Sequence, residues 1–182
     1  MEEQRKRFKA LYHQHHDALG GYCRVQAYGC MDPEDLVGET VLKAFESFHK
    51  LKDEKAFLGY LMAIARNIVN TKLRRKKFSA PYSEHFSETI KDESVDAEMK
   101  YDIEVLYECL NKLQPETKEA IVLFDISGYS IKEVAEIQQV GESAVKQRLR
   151  RGRIKLGEIL KQGDMQFEST AKPSQILRTL FF

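Results

Sequence analysis

Apolar positions recur at helical spacing along most of the chain. Phe8, Leu11, Tyr12, Leu19 and Tyr22 fit one stripe of a first helix, broken near Gly29. Asp32-Pro33 reads as an N-cap followed by proline at the first helical position, where a missing N–H costs nothing. The helix it opens is expected to bury Val37, Val41, Ala44, Phe45 and Phe48. A third helix, from Lys55 to about Lys77, carries Phe57, Leu61, Ile64 and Ile68 on one stripe. The stretch FSAPYSEHFSETIKDESVDAEMK, residues 78–100, breaks the pattern. It is polar, acidic and interrupted by proline, and reads as a linker. Periodicity resumes with Ile103, Leu106, Leu110 and Leu113. Gln114-Pro115 opens another helix carrying Ala120, Ile121, Leu123 and Phe124, which Ser127-Gly128 ends. Ser130 and Glu133 in SIKE form the pattern of a capping box. A short helix to about Gln138 follows, and the tight connection QVG leads into SAVKQRLRRGRIKL, residues 143–156.

This reads as an all-α chain with two small helical domains joined by a flexible acidic linker. The expected division is a first domain at 1–78, a linker at 79–101, a second domain at 102–161 and an extension at 162–182. A length of 182 residues fits one or two small domains, and 42% hydrophobic content is enough for packed cores.

The formal net charge is only +1, yet charge is segregated along the chain. Five basic residues and no acidic one fall between Lys72 and Lys77. Nine acidic residues against Lys91 and Lys100 fall between Glu84 and Glu108. Six basic residues and no acidic one fall within 143–156. This basic–acidic–basic order suggests two separate contacts with anions. Three unclustered cysteines, Cys23, Cys30 and Cys109, without a CxxC pair, fit a reduced, cytoplasmic setting. No apolar run approaches the roughly 20 residues of a membrane span, and no apolar signal core follows the N-terminus, so membrane insertion is not expected.

A basic helix alone fits a DNA reader, a membrane-surface helix or a solvated face. Two short helices joined by about three residues make the spacing of a helix-turn-helix. Ala135 is small where the helices must cross, and Val134, Ile137, Val140, Val145 and Leu149 supply a small shared core. Gly152 lies on the stripe of Val145, Leu149, Leu156 and Ile159, where it permits close approach. The opposite face presents Ser143, Lys146, Gln147 and Arg150, side chains that can contact base edges. Arg148 and Arg151 flank it and suit phosphates. The spacing favours DNA. A membrane helix needs apolar bulk on its other face, and here that stripe is committed to a core.

Upstream, DPEDLVGETVLKAFESF and AFLGYLMAIARNIVNTKLRRKK lie in tandem. Ala63, Asn67, Asn70 and Arg74 occupy the face opposite Phe57, Leu61, Ile64 and Ile68. Asparagine is a poor helix former, so two on one face suggest a use. Amide side chains hydrogen-bond exposed base edges, while a basic end holds the backbone. An ordinary polar face is the plainer alternative for this helix alone.

Residues 5–160 as a whole resemble a bacterial RNA polymerase sigma factor of the extracytoplasmic-function (ECF) class, within the sigma-70 family. DLVGE resembles the Asp-Leu-Val-Gln-Glu signature of region two. FLGYLMAIARN…LRR resembles the helix that melts the minus-ten element. LQPETKEAIVLFDISGYSIKEVAEIQQVGESAVKQRLRRGRIKL resembles region four, which binds the minus-thirty-five element. The resemblance implies that core polymerase is met by Asp35, Leu36, Val37 and Glu39. It implies minus-ten contacts by Leu51, Lys52, Ala63, Arg66, Asn67, Asn70, Arg74 and Arg75, with Asn67 and the loop Leu51 to Lys55 holding an unpaired base. It implies minus-thirty-five contacts by Ser143, Lys146, Gln147, Arg148, Arg150 and Arg151. The acidic linker matches a segment that threads basic channels of the polymerase, and a cognate anti-sigma factor is an expected partner.

Four positions depart from the family pattern. Gly38 stands for the signature glutamine, and a mid-helix glycine costs about 1 kcal/mol against alanine. Phe45 and Tyr60 stand where tryptophan is frequent. Gln139 occupies the turn position that favours glycine for its positive φ.

No metal, cofactor or catalytic constellation is expected, since HQHH at 13–16 with Cys23 and Cys30 lacks regular ligand spacing. Two other functions remain to be weighed. A sigma mimic that sequesters an anti-sigma factor should have lost the faces of Asn67, Arg74, Lys146 and Arg150. A conventional helix-turn-helix regulator would not need DLVGE or the long linker. The closing ILRTLFF is either a frayed tail or a docking segment.

Overall fold

The computed structural model describes residues 2–76 and 97–166, the side chains of 76, 97–100 and 162–166 excepted. The chain divides into two compact units, Met1–Thr89 and Ile90–Phe182. Among the described residues all regular structure is helical. The closing ILRTLFF, left open between a frayed tail and a docking segment, and most of the expected linker lie outside the described residues. No described helix is long and apolar enough to cross a membrane.

The N-terminal unit is a bundle of α1 (Glu2–Ala27), α2 (Pro33–Ser47) and α3 (Phe57–Lys76), each packed on the other two. The break after α1 falls where expected, with Gly29 at φ +70°. Asp32 caps α2, its carboxylate accepting from the N–H groups of Glu34 at 2.7 Å and Asp35 at 3.4 Å. Phe8 anchors one end of the core, edge-on to Phe45, Phe48 and Phe57 with ring centroids 5.2–5.4 Å apart. Leu19, Tyr22, Cys23, Leu61, Met62 and Ala65 fill the rest. Truncating a leucine here would cost about 2–5 kcal/mol.

The buried row of α2 differs from the expected one. Leu36, Thr40 and Ala44 are fully buried, and Phe48 ends the row in a short 3-10 turn. Val37 and Val41 sit one position around the helix and are only half-buried, while Phe45 is 37% exposed. Threonine carries a methyl group into the interior as well as a hydroxyl, so the polar label at Thr40 hides the inward face. On α3 the expected Phe57, Leu61 and Ile68 are buried but Ile64 is only half-buried, and Met62, Ala65 and Val69 join the inward face. The helix is packed against both neighbours and needs the wider apolar face.

The C-terminal unit contains α4 (Ala97–Asn111), α5 (Pro115–Ile121), α6 (Ile131–Gln138) and α7 (Glu142–Gln166). α4 reaches back to Ala97, inside the span 79–101 expected as linker, and α7 runs on past 161. Leu110, Ile121, Leu123, Val134, Val145 and Leu156 are fully buried. α5 continues into one widened π-type turn, Val122–Ile126, and the chain then reverses at Gly128, φ +76°. α6 begins with a complete capping box. Ser130 Oγ accepts from the Glu133 N–H, and Glu133 accepts from the Ser130 N–H at 2.8 Å. The Ser130 hydroxyl also donates to Glu133 Oε2 at 2.6 Å, and this bond, with the one from the Ser130 N–H, holds the Glu133 carboxyl below the usual glutamate range.

Candidate nucleic-acid interface

α6 and α7 are joined by Gln139, Val140 and Gly141. Gln139 adopts the left-handed conformation at φ +54°, ψ +46°, so the turn keeps its left-handed geometry without glycine. The Val140 N–H returns to the Ala135 carbonyl at 3.0 Å and closes the end of α6. α7 then packs its stripe of Val145, Leu149, Leu156 and Ile159 inward. Gly152 on that stripe meets α5 directly: a Cβ there would lie 2.9 Å from Thr117 Cγ2 and 3.0 Å from Ile121 Cγ1. That contact fixes which way α7 faces.

Ser143, Lys146, Gln147, Arg150 and Arg151 are all exposed on α7. Their spacing of three and four residues aligns the first four along one side. Lys146 lies 3.9 Å from Glu142, a long and solvated ion pair that leaves its ammonium available. Arg148 differs. It is half-buried, and its guanidinium donates to Gln138 Oε1 at 2.7 Å. Arg153, counted by charge alone among the free cations of this helix, is held by its own unit. It forms a two-point pair with Asp125, at 2.6 and 3.3 Å, and lies over the Phe124 ring. Lys155 pairs with Glu158 at 3.0 Å.

On α3, Asn67, Asn70, Arg74 and Arg75 are exposed, while Ala63 and Arg66 are half-buried. Leu51 is half-buried and Lys52 exposed, in the irregular segment that precedes α3. Asp53 caps the short turn after it, accepting from the Lys55 N–H at 2.9 Å. In the DLVGE segment, Asp35 is exposed and Val37 half-buried. Leu36 is 0% exposed. Its side chain anchors α2 to the bundle, and the outward surface of that segment belongs to its neighbours. Glu39 accepts from Lys72 at 2.8 Å and so ties α2 to the basic end of α3. Tyr60 also bridges these helices, donating to the Ala44 carbonyl at 3.0 Å and meeting Ser47 Oγ at 2.6 Å.

Sequence periodicity missed the buried polar groups of the C-terminal unit. Glu119 is 1% exposed and Gln138 7%, although both are polar types usually found outside. Glu119 lies four residues before Leu123 on the inward row of α5, the one local signal of its burial. Among the described residues, no group of His, Cys, Asp and Glu could hold a metal ion. Burial pushes the Cys23 thiol up to about 12, which makes it a packing group.

The fold and these faces define a two-unit, all-helical DNA-binding protein with a helix-turn-helix in its second unit. Sigma-70 region 2 matches residues 11–79, and Sigma-70, region 4 matches residues 103–156. The RNA polymerase sigma factor CarQ of Myxococcus xanthus is 28% identical over 167 residues, covering 88% of this chain and 92% of that one. The ECF RNA polymerase sigma factor SigM of Mycobacterium tuberculosis is 27% identical over 155 residues, covering 84% and 76%. Among solved structures, the sigma factor RpoE of Bartonella quintana, in complex with the anti-sigma factor NepR, superposes with a TM-score of 0.68 at 24% identity. That match covers 86% of this chain and 98% of the other. The chain belongs to the sigma-70 family, in its ECF class. It is a promoter-directing RNA polymerase sigma factor, whose partners are core polymerase and promoter DNA and which carries out no reaction of its own.

Proposed function

We propose that the two units divide promoter recognition between the exposed faces of α3 and α7. The α3 face, with Asn67, Asn70, Arg74 and Arg75, captures unpaired bases of the minus-ten element together with the Leu51–Lys52 segment. Melting a duplex costs stacking energy, and amides on a basic surface compensate by holding the freed bases. The α7 face reads the minus-thirty-five major groove through Ser143, Lys146, Gln147 and Arg150, while Arg148 and Arg151 meet phosphates. Core polymerase docks on α2 through Asp35, Val37 and Glu39, with Leu36 as the internal anchor. The single observation that carries this reading is the pair of exposed amide-and-cation faces, each on a helix whose other side is committed to a core.

An anti-sigma factor is the expected regulator. One similar solved structure is a sigma factor, RpoE of Bartonella quintana, bound to such a partner, the anti-sigma factor NepR. Work beside polymerase places the protein in the cytoplasm.

Run-off transcription with core polymerase and genomic fragments tests the whole reading. Starts that share two spaced upstream elements are expected, and random starts would refute it. Asn67→Ala should impair open-complex formation on duplex promoters more than on pre-melted ones. An equal defect on both templates would remove Asn67 from base capture.

A further inference from the structure

The C-terminal unit ties three helices together through one buried amide. Gln138 ends α6. Its Nε2 donates to the Glu116 carbonyl at 2.9 Å and to Glu119 Oε2 at 3.0 Å, both on α5. Its Oε1 accepts from Arg148 Nη1 on α7 at 2.7 Å. A carbonyl and a carboxylate only accept, and a guanidinium only donates. One orientation of one residue type therefore serves all three partners: glutamate lacks the donors, and leucine or methionine lacks both ends.

The chemistry at Arg148 differs from that at Arg153. Arg153 faces a carboxylate at 2.6 Å, which cancels its charge locally. Arg148 is held by a neutral oxygen. The amide stands between it and the buried Glu119, so the guanidinium is oriented while its charge stays available. We propose that Gln138 is a positioning residue for minus-thirty-five binding, fixing Arg148 at the α6–α7 turn so that its guanidinium meets a DNA phosphate. This rests on the reading that α7 docks on the minus-thirty-five element.

The test uses holoenzyme assembled from core polymerase and the full chain, on a promoter identified by run-off. Promoter affinity is measured across a salt series for Gln138→Met, Arg148→Met and the double variant. Each single variant should bind about tenfold more weakly and lower the salt slope by about one, the loss of one phosphate contact. The double variant should be no worse than Arg148→Met, because both act on the same contact. A merely structural Gln138 would lower affinity with an unchanged slope and would multiply with Arg148→Met, which overturns the proposal. Methionine at 138 deprives the buried Glu119 of a donor, so a second variant combines Gln138→Met with Glu119→Gln and removes that charge. It should lose the same slope, while Glu119→Gln alone should keep it. Failure of the wider reading is distinct: there, changing Lys146 and Arg150 would also leave promoter affinity untouched. If those two matter and Arg148→Met changes neither affinity nor slope, the proposal alone is refuted.

Discussion

α3 and α7, the two helices proposed to face DNA, are secured differently. α3 lays a wide apolar face, with Phe57, Leu61, Met62, Ala65, Ile68 and Val69, against its neighbours, and has polar ties to α2 through the Tyr60 hydroxyl and the Lys72–Glu39 ion pair. α7 is held by discrete polar ties as well: Arg148 to Gln138, Arg153 to Asp125, and a backbone-level contact at Gly152 against α5. Apolar contact is non-directional and tolerates small shifts, whereas hydrogen bonds and close approach fix angle and register. The close approach at Gly152 suits the target proposed for α7. Base edges in a duplex groove sit at fixed positions, so their reader must be fixed. Unpaired bases move to meet a surface.

Two mid-helix glycines make the contrast open to attack. Gly152→Val should destabilise the C-terminal unit by about 2–3 kcal/mol, since a branched side chain must enter filled space. Denaturant unfolding with a probe in that unit measures it, and a change below about 0.5 kcal/mol would end the claim of a locked register. Lys146→Ala with Arg150→Ala comes next. Holoenzyme–promoter affinity should fall about thirtyfold at moderate salt, roughly 2 kcal/mol for two charged contacts. Core-polymerase binding should be unchanged, and equal loss of both would indicate misfolding.

Ser130→Ala should cost about 1 kcal/mol through the lost cap of α6. The cap also carries a pH signature. Glu133 is held below the usual glutamate range by its bonds to Ser130. Its contribution is therefore full above that range and is lost as pH falls through the lowered value. Comparing acid unfolding of the parent and Ser130→Ala should show the difference narrowing at low pH, and a constant gap would separate Glu133 from the cap. The smallest effect is expected at Gly38. A Cβ there meets nothing within 4 Å, so Gly38→Ala should stabilise the N-terminal unit by up to about 1 kcal/mol. Destabilisation would reveal packing at Gly38 that the structure lacks.

Local grammar made the helices legible. Asp32-Pro33 and the Ser130–Glu133 box are each encoded within four residues, and each is found in the fold. The exposed faces of α3 and α7 followed from the same periodicity. What local pattern could not supply was partnership between elements. Arg148 and Arg153 look alike in sequence, and only the position of Gln138 and Asp125 tells them apart. Leu36 sits inside a signature expected to face a partner, yet it is an internal anchor, because the inward row passes through Leu36 and Thr40 rather than Val37 and Val41. The start of α4 at Ala97 was hidden by acidic composition, since charged residues form helices readily once a later segment docks them.

Gly152 also bears on how promoter preference can change over evolutionary time. A helix seated on Thr117 and Ile121 with no room for a methyl group cannot roll or slide to present a new side. With α7 reading DNA as proposed, substitutions at 143, 146, 147 and 150 can then alter the preferred sequence one position at a time, with the other contacts left in place. The same missing methyl group that makes the C-terminal unit fragile toward mutation at 152 makes its recognition surface free to diversify.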